Sequence, residues 1–299
     1  MSIAIEQLRH VRLACRVPEQ AAAEAQQALG LREAFRQDGE IALRSDARAY
    51  TLILGDAAQG RSAIGLEVRD HAALGRAAEA LAVRGIAARF DDALATRRQV
   101  KALLAFATPG GLDVELVWRP QHKGWRFFPS RDSGVTGLEA VAVRTPSLAQ
   151  DEALWTELFG LSVRDWVGDA AYLGFDAAHH RLALHPSAQA GVLAVEYAVE
   201  SVDKLMQQHY LLREQGATAS HGPGRRPTSG QAFLSFPGPD GVHFSMIAEG
   251  RRIGPDDRPR QFPAEPSSYC AWGSDCAIAE FQPGAALRPR PALREVGKA

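Results

Sequence analysis

Sulfur is scarce in this chain: three cysteines among 299 residues. Cys15 lies in an apolar run and reads as a small core residue. Cys270 and Cys276 make neither a disulfide framework nor a zinc site. Surplus charge is missing too. Thirty-four basic residues face 35 acidic ones, for a net charge of −1, with the two signs interspersed. That removes any broad electrostatic argument for nucleic acid or an anionic membrane as partner. No apolar run approaches the ~18 residues of a membrane span. The opening Met1-Ser-Ile-Ala-Ile-Glu lacks the basic and apolar regions of a secretory signal, so the expected location is the cytoplasm.

What the chain does have is internal repetition, and repetition decides the fold. Leu29-Gly30-Leu31 and Phe159-Gly160-Leu161 each end a helical stretch, 130 positions apart. Pro109-Gly110-Gly111 and Pro239-Asp240-Gly241 are tight turns before a last strand, again 130 apart. Each half divides once more. The first predicts strands at 10–15, 41–43, 50–54, 63–68, 103–107 and 112–117, with helices at 19–29 and 70–83. The second predicts strands at 138–144, 172–175, 181–184, 194–199, 232–236 and 242–247, with helices at 148–158 and 202–215. Helical spacing of apolar residues such as Leu205 and Leu212, glycines at helix C-termini and the capping hydroxyl of Ser201 support the assignments. The result is an α+β protein of four βαβββ modules. Residues 1–119 form one pair and 138–250 a second, with a Pro- and Gly-containing linker at 120–137. Residues 251–299 read as an extended strap carrying Phe262, Tyr269 and Trp272, disordered after about residue 281.

Several local motifs then point to a family. His179-His180-Arg-Leu-Ala-Leu-His185 resembles a paired-histidine strand. The segment from His221 to Gly230, with Arg225-Arg226-Pro-Thr-Ser, resembles an active-site loop. Gly238-Pro-Asp-Gly241 resembles the turn before a final strand, and Pro266-Ser-Ser-Tyr-Cys-Ala-Trp-Gly273 resembles a tail segment. All four are similar to segments of the type I extradiol dioxygenases, which open catechol-type rings, within the vicinal oxygen chelate (glyoxalase/bleomycin resistance/dioxygenase) superfamily. The resemblance covers about residues 5–275. It implies two tandem vicinal-oxygen-chelate barrels, a vestigial N-terminal one and a C-terminal one that carries the site, and commonly a homo-oligomer.

The same resemblance implies an Fe(II) held by two histidines and a glutamate, and here the chain departs from it. The three positions map to Ala140, Ala194 and Ser245, and the family's catalytic tyrosine to Ser235. Methyl groups and one hydroxyl cannot form a 2-His-1-carboxylate site, so no metal or other cofactor is expected. In the N-terminal half the mapped positions are His10, Ala63 and Glu115. Alternation of Asp113 and Glu115 around apolar residues reads there as a solvated face.

A replacement cluster follows from strand alternation. If Ala194 and Ser245 face inward, so do Glu196 and His243. With His180, the one retained acid/base histidine, they form a candidate proton-transfer set; an isolated Glu/His pair also suits a structural ion pair. His179 is expected to point outward, and His185 to lie at the surface near the Pro186 turn. Arg225 and Arg226 suit either a guanidinium grip on a phenolate or carboxylate, or a mobile loop. Tyr172, Phe175, Trp166 and Phe233 suit either pocket lining or core. Ser235 and Ser245 complete the candidate binding residues. The expected ligand is a small aromatic or enolisable molecule, transformed by metal-independent acid/base chemistry. A binding or sequestering protein, an inactive dioxygenase subunit, and iron-dependent ring cleavage at a relocated site are the alternatives.

Overall fold

The computed structural model describes residues 2–124 and 126–282; the expectation of disorder in the tail falls on residues outside these, from 283 onward. Two sheets account for the architecture. The first has eight strands in the order Arg32–Gln37, Glu40–Arg44, Leu52–Asp56, Ile5–Cys15, Ala63–Val68, Asp113–Pro120, Val100–Ala107, Ala88–Phe90. The second has nine: His221–Arg225, Ala232–Pro237, His243–Ala248, Gly191–Val199, Val135–Thr145, Leu182–Pro186, Ala170–Gly174, Ser162–Val167, Arg260–Phe262. Apart from the added strand Arg260–Phe262, the two sheets share one pattern. In each, two four-stranded modules join through antiparallel first strands, and each first strand runs parallel to the last strand of its module. The internal repetition read from the sequence is therefore present strand for strand.

Both sheets curl far enough for distant strands to meet. Glu40, one strand from an edge of the first sheet, binds Arg98, just before the strand Val100–Ala107 near the opposite edge. Tyr172 and Arg226 line one cavity from opposite ends of the second sheet.

Local chemistry sets the helices. Asp70 caps His71–Val83 by accepting from the Ala73 amide at 2.7 Å, and Ser201 caps Val202–Glu214 through the Lys204 amide. Pro18–Leu29 ends at Gly30, whose φ of 68° is left-handed, a conformation glycine adopts without the penalty of a Cβ. The helix expected over 148–158 begins as an α-helix at Leu148–Ala153 and widens into a π turn at Leu154–Leu158. Among the described residues no helix is long and apolar enough to cross a membrane.

One apolar core runs through both halves. Trp155 and Phe159 are buried, and Phe159 stacks on Phe106 of the first half at 5.8 Å. Burying such a side chain contributes ~1.5–3 kcal/mol. Polar ties reinforce the junction. The Ile3 amide donates to the Leu158 carbonyl, and Arg48 donates to the carbonyls of Leu8 and Leu138. The strap packs its aromatics as expected, with Phe262 and Tyr269 against the second sheet and Tyr269 stacked on Phe281 at 4.7 Å. Trp272 stays half exposed under the guanidinium of Arg225.

Candidate functional site

The second sheet places one row of residues side by side across three strands. Glu196 pairs with Ala140 on one neighbour and with Ser245 on the other, so all three project to the same face. Ala194 lies one step along, opposite Ala142 and His243. The row holds one carboxylate, a methyl and a hydroxyl. Ser245 spends its hydroxyl on Ser235 at 2.8 Å, both buried. Among the described residues no three His, Cys, Asp or Glu side chains converge as a metal site would require. The donor set does not fit an iron centre.

Arg226 takes the place opposite Glu196. Its two terminal nitrogens donate to the two carboxylate oxygens at 2.9 and 2.6 Å, a bidentate fork. The guanidinium also lies over the Phe233 ring at 5.2 Å. Burial alone would raise the Glu196 carboxyl, but Arg226 outweighs it and holds the group far below the ordinary carboxylate range. Glu196 is therefore a fixed anion and cannot itself serve as a base near neutrality.

His180 meets the same carboxylate, its Nε2 3.5 Å from Glu196 Oε2. Its Nδ1 lies 3.0 Å from His179 Nδ1, and His179 Nε2 lies 2.8 Å from Asp165 Oδ2. Asp165 is fully buried and also accepts from the backbone and guanidinium of Arg260 on the strap. A polar chain therefore runs Arg226, Glu196, His180, His179, Asp165, Arg260, buried along its middle and exposed at Arg260. Desolvation lowers His179 to about 4, so its ring is neutral at pH 7.

The remaining cavity is small. About 10 Å³ is left, room for roughly one water, between Tyr172, His185, Glu196, His221 and Arg226. The strap closes it with Ser268, Tyr269 and Phe281. Desolvation lowers both His185 and His221 to about 4, so their imidazoles are neutral here.

Several expectations need correction. His179 and His180 lie in the turn before a strand that starts only at Leu182, so strand alternation does not separate them and both are buried. His185 is buried as well, because Phe281 of the strap covers it at 5.0 Å. His243 does not join the cluster. It pairs in register with Ala194, not Glu196, and its Nδ1 bonds the Ser220 hydroxyl at 2.9 Å. Arg225 turns outward to Glu249 and Trp272. Of the aromatic candidates, Tyr172 lines the cavity, while Phe175 and Trp166 pack on the main core. Asp165, Arg260 and His221 went unnoticed as site residues; only the His221 loop motif carried any signal for them.

The first half corrects another expectation. Glu115 is no solvated face: it is buried, bonded to His10 Nε2 at 2.8 Å and gripped by two nitrogens of Arg98. Gly65 separates His10 and Glu115 in the pairing row. A Cβ there would lie 2.1 Å from the His10 ring, so this position admits no side chain while His10 holds its place.

No protein-family model matches the chain. Biphenyl-2,3-diol 1,2-dioxygenase of Pseudomonas sp. (strain KKS102) is 35% identical over 170 residues, 49% of this chain and 56% of that protein. The chain thus matches somewhat over half the length of this curated relative. In fold the likeness extends to nearly the whole molecule. A halotolerant catechol dioxygenase superposes with a TM-score of 0.83 at 17% identity, over 94% of this chain and 98% of that one. An Mn(II)-bound glyoxalase from Novosphingobium aromaticivorans gives 0.84 at 20% identity, over 97% of each.

Proposed function

We propose that this relative of the extradiol dioxygenases, with their tandem-barrel fold, binds a small phenolic or enolisable molecule in its C-terminal barrel and moves a proton there without a metal. The observation that carries the reading is a pair of adjoining buried histidines held between two carboxylates. Asp165, His179, His180 and Glu196 make three successive contacts, at 2.8, 3.0 and 3.5 Å. Should each ring carry a single N–H, two N–H groups are there to fill three contacts. If His179 donates to Asp165 and His180 donates to His179, the lone pair of His180 Nε2 is left facing Glu196. That contact is the longest of the three, as expected for an acceptor facing an acceptor.

A proton released by a bound O–H, or from carbon beside a carbonyl, completes the chain. It lands between His180 Nε2 and the Glu196 carboxylate, while Asp165 anchors the far end. Arg226 is the cation beside which the resulting phenolate or enolate collects, a charge-assisted contact in a water-poor site. Tyr172 supplies the aromatic wall. Because the strap residues Tyr269 and Phe281 form one side of the cavity, a ring enters only as they shift. His180 is the proposed proton acceptor, Arg226 the anion holder and Glu196 the positioning residue between them.

Biphenyl-2,3-diol, named for the related enzymes, is a suitable probe. Difference absorbance at pH 7 should show saturable binding with a phenolate band. His180→Gln should remove the phenolate band, and Arg226→Gln should weaken binding. A ring-opened product on adding Fe(II), or no saturable binding at all, would refute the proposal.

A further inference from the structure

We infer that the first barrel holds a second binding site, for a small organic carboxylate with an apolar body. A recess far larger than the C-terminal cavity lies there. It has a volume of about 480 Å³, within the ~300–1,000 Å³ range of small-molecule sites. Its walls come from the loop around Gly60, the strand Ala88–Phe90, the helix Asp92–Arg97 and the strands Val100–Ala107 and Asp113–Pro120.

Charge accounting identifies the ligand's sign. Five arginines line the recess: Arg12, Arg61, Arg89, Arg97 and Arg98. Four have carboxylate partners. Arg12 binds Glu40, Arg98 binds Glu115 and Glu40, Arg61 binds Asp113, and Arg89 binds Asp91. Arg97 is left over. Among the described residues it has no ion pair, and its Nε is buried without a hydrogen-bond partner. A buried donor on a guanidinium costs free energy unless an acceptor meets it. The structure thus presents a permanent cation with an unfilled donor at the edge of a recess of ligand size.

The rest of the wall specifies the body of the ligand. Ala63, Leu94, Ala105, Phe106 and Val114 give an apolar surface beside the charged rim. An anion with no apolar body would leave that surface wet; a neutral apolar molecule would leave Arg97 unpaired. An aryl carboxylate satisfies both. The inorganic anions that guanidinium also binds match the rim alone.

The test uses the full chain, with 2-naphthoate as probe and 2-naphthamide as its neutral counterpart, followed by amide NMR. Naphthoate should perturb Gly60, Leu94 and Ala105 saturably. The amide should bind at least about ten-fold more weakly, since a hydrogen bond to a charged partner is worth roughly that much or more. Arg97→Gln should cost naphthoate a similar factor. Ala87→Trp, at an exposed position on the rim, should block binding while leaving the spectrum of the fold intact. His180→Gln should leave naphthoate binding unchanged, which separates this site from the C-terminal one. The inference is overturned if naphthoate does not saturate, if its perturbations map to the C-terminal barrel, if inorganic phosphate competes at equal affinity, or if the amide binds as tightly.

Discussion

Arg226 and Glu196 form a closed two-point ion pair inside the second barrel, at 2.9 and 2.6 Å. Both side chains are nearly inaccessible, at 11% and 4% exposure. The pair matters because an unpartnered charge at that depth is intolerable, whereas a matched pair of apolar residues is not.

Replacing Arg226 with Met should therefore cost about 3–5 kcal/mol, because it strands a buried carboxylate. Adding Glu196→Leu to the same protein should recover most of that loss. Urea unfolding of wild type, both single variants and the double variant gives the coupling energy directly. Additive single effects would mean the pair is not coupled.

Stability should fall as the solution is acidified below about pH 6.5. His179, His185 and His221 are each held near 4 by burial, against an ordinary value of 6.5. Between those limits the unfolded chain binds more protons than the folded one, so ΔG of unfolding decreases as pH drops. The stabilisation is complete above 6.5 and gone below about 4. Each imidazole accounts for roughly 3 kcal/mol. Urea midpoints from pH 8 to pH 4 should show the slope, and the three rings should not titrate in the folded protein above pH 5. A flat stability profile over that range contradicts the assignment.

Divalent metals should leave the melting temperature unchanged. A ligand at one hundred times its Kd stabilises by about 2.7 kcal/mol, several degrees for a chain of this size. With no three-donor cluster among the described residues, Mn(II) or Fe(II) has no such hold. A saturable rise of several degrees in scanning calorimetry would reinstate a metal centre.

Gly65→Ala should destabilise by about 1–3 kcal/mol or more, since the new methyl meets the His10 ring. Thermal unfolding measures it. The companion variant Gly65→Ala/His10→Ala removes the collision, so a double variant no more stable than Gly65→Ala alone argues against that cause.

Much of the fold was legible in the sequence because periodicity and turn chemistry are local. Strands with alternating apolar residues, such as Ala63–Val68 and Gly191–Val199, announced themselves. Arg32–Gln37 and Ser162–Val167 did not. The first is largely exposed and mostly charged or polar, and the second sets Arg164 and the buried Asp165 in its middle, so their pairing is decided by the neighbouring strand. The site was legible in part for the same reason. Alternation put Glu196 inside the barrel, and the loop motif marked Arg226. That the two bind each other depends on how far the sheet curls, which no local pattern encodes. His185 and His179 were misjudged because the groups that bury them, Phe281 and the Asp165–Arg260 pair, lie about a hundred residues downstream or act through the strap.

One arrangement recurs in both barrels: Arg98 against Glu115, and Arg226 against Glu196. In each, the counter-ion of a deeply placed carboxylate is tethered to the polypeptide itself. Such a charge is delivered at synthesis in fixed stoichiometry. Neither dilution, a chelator nor starvation for trace elements can strip it away, so both carboxylates are neutralised as soon as the chain has finished folding.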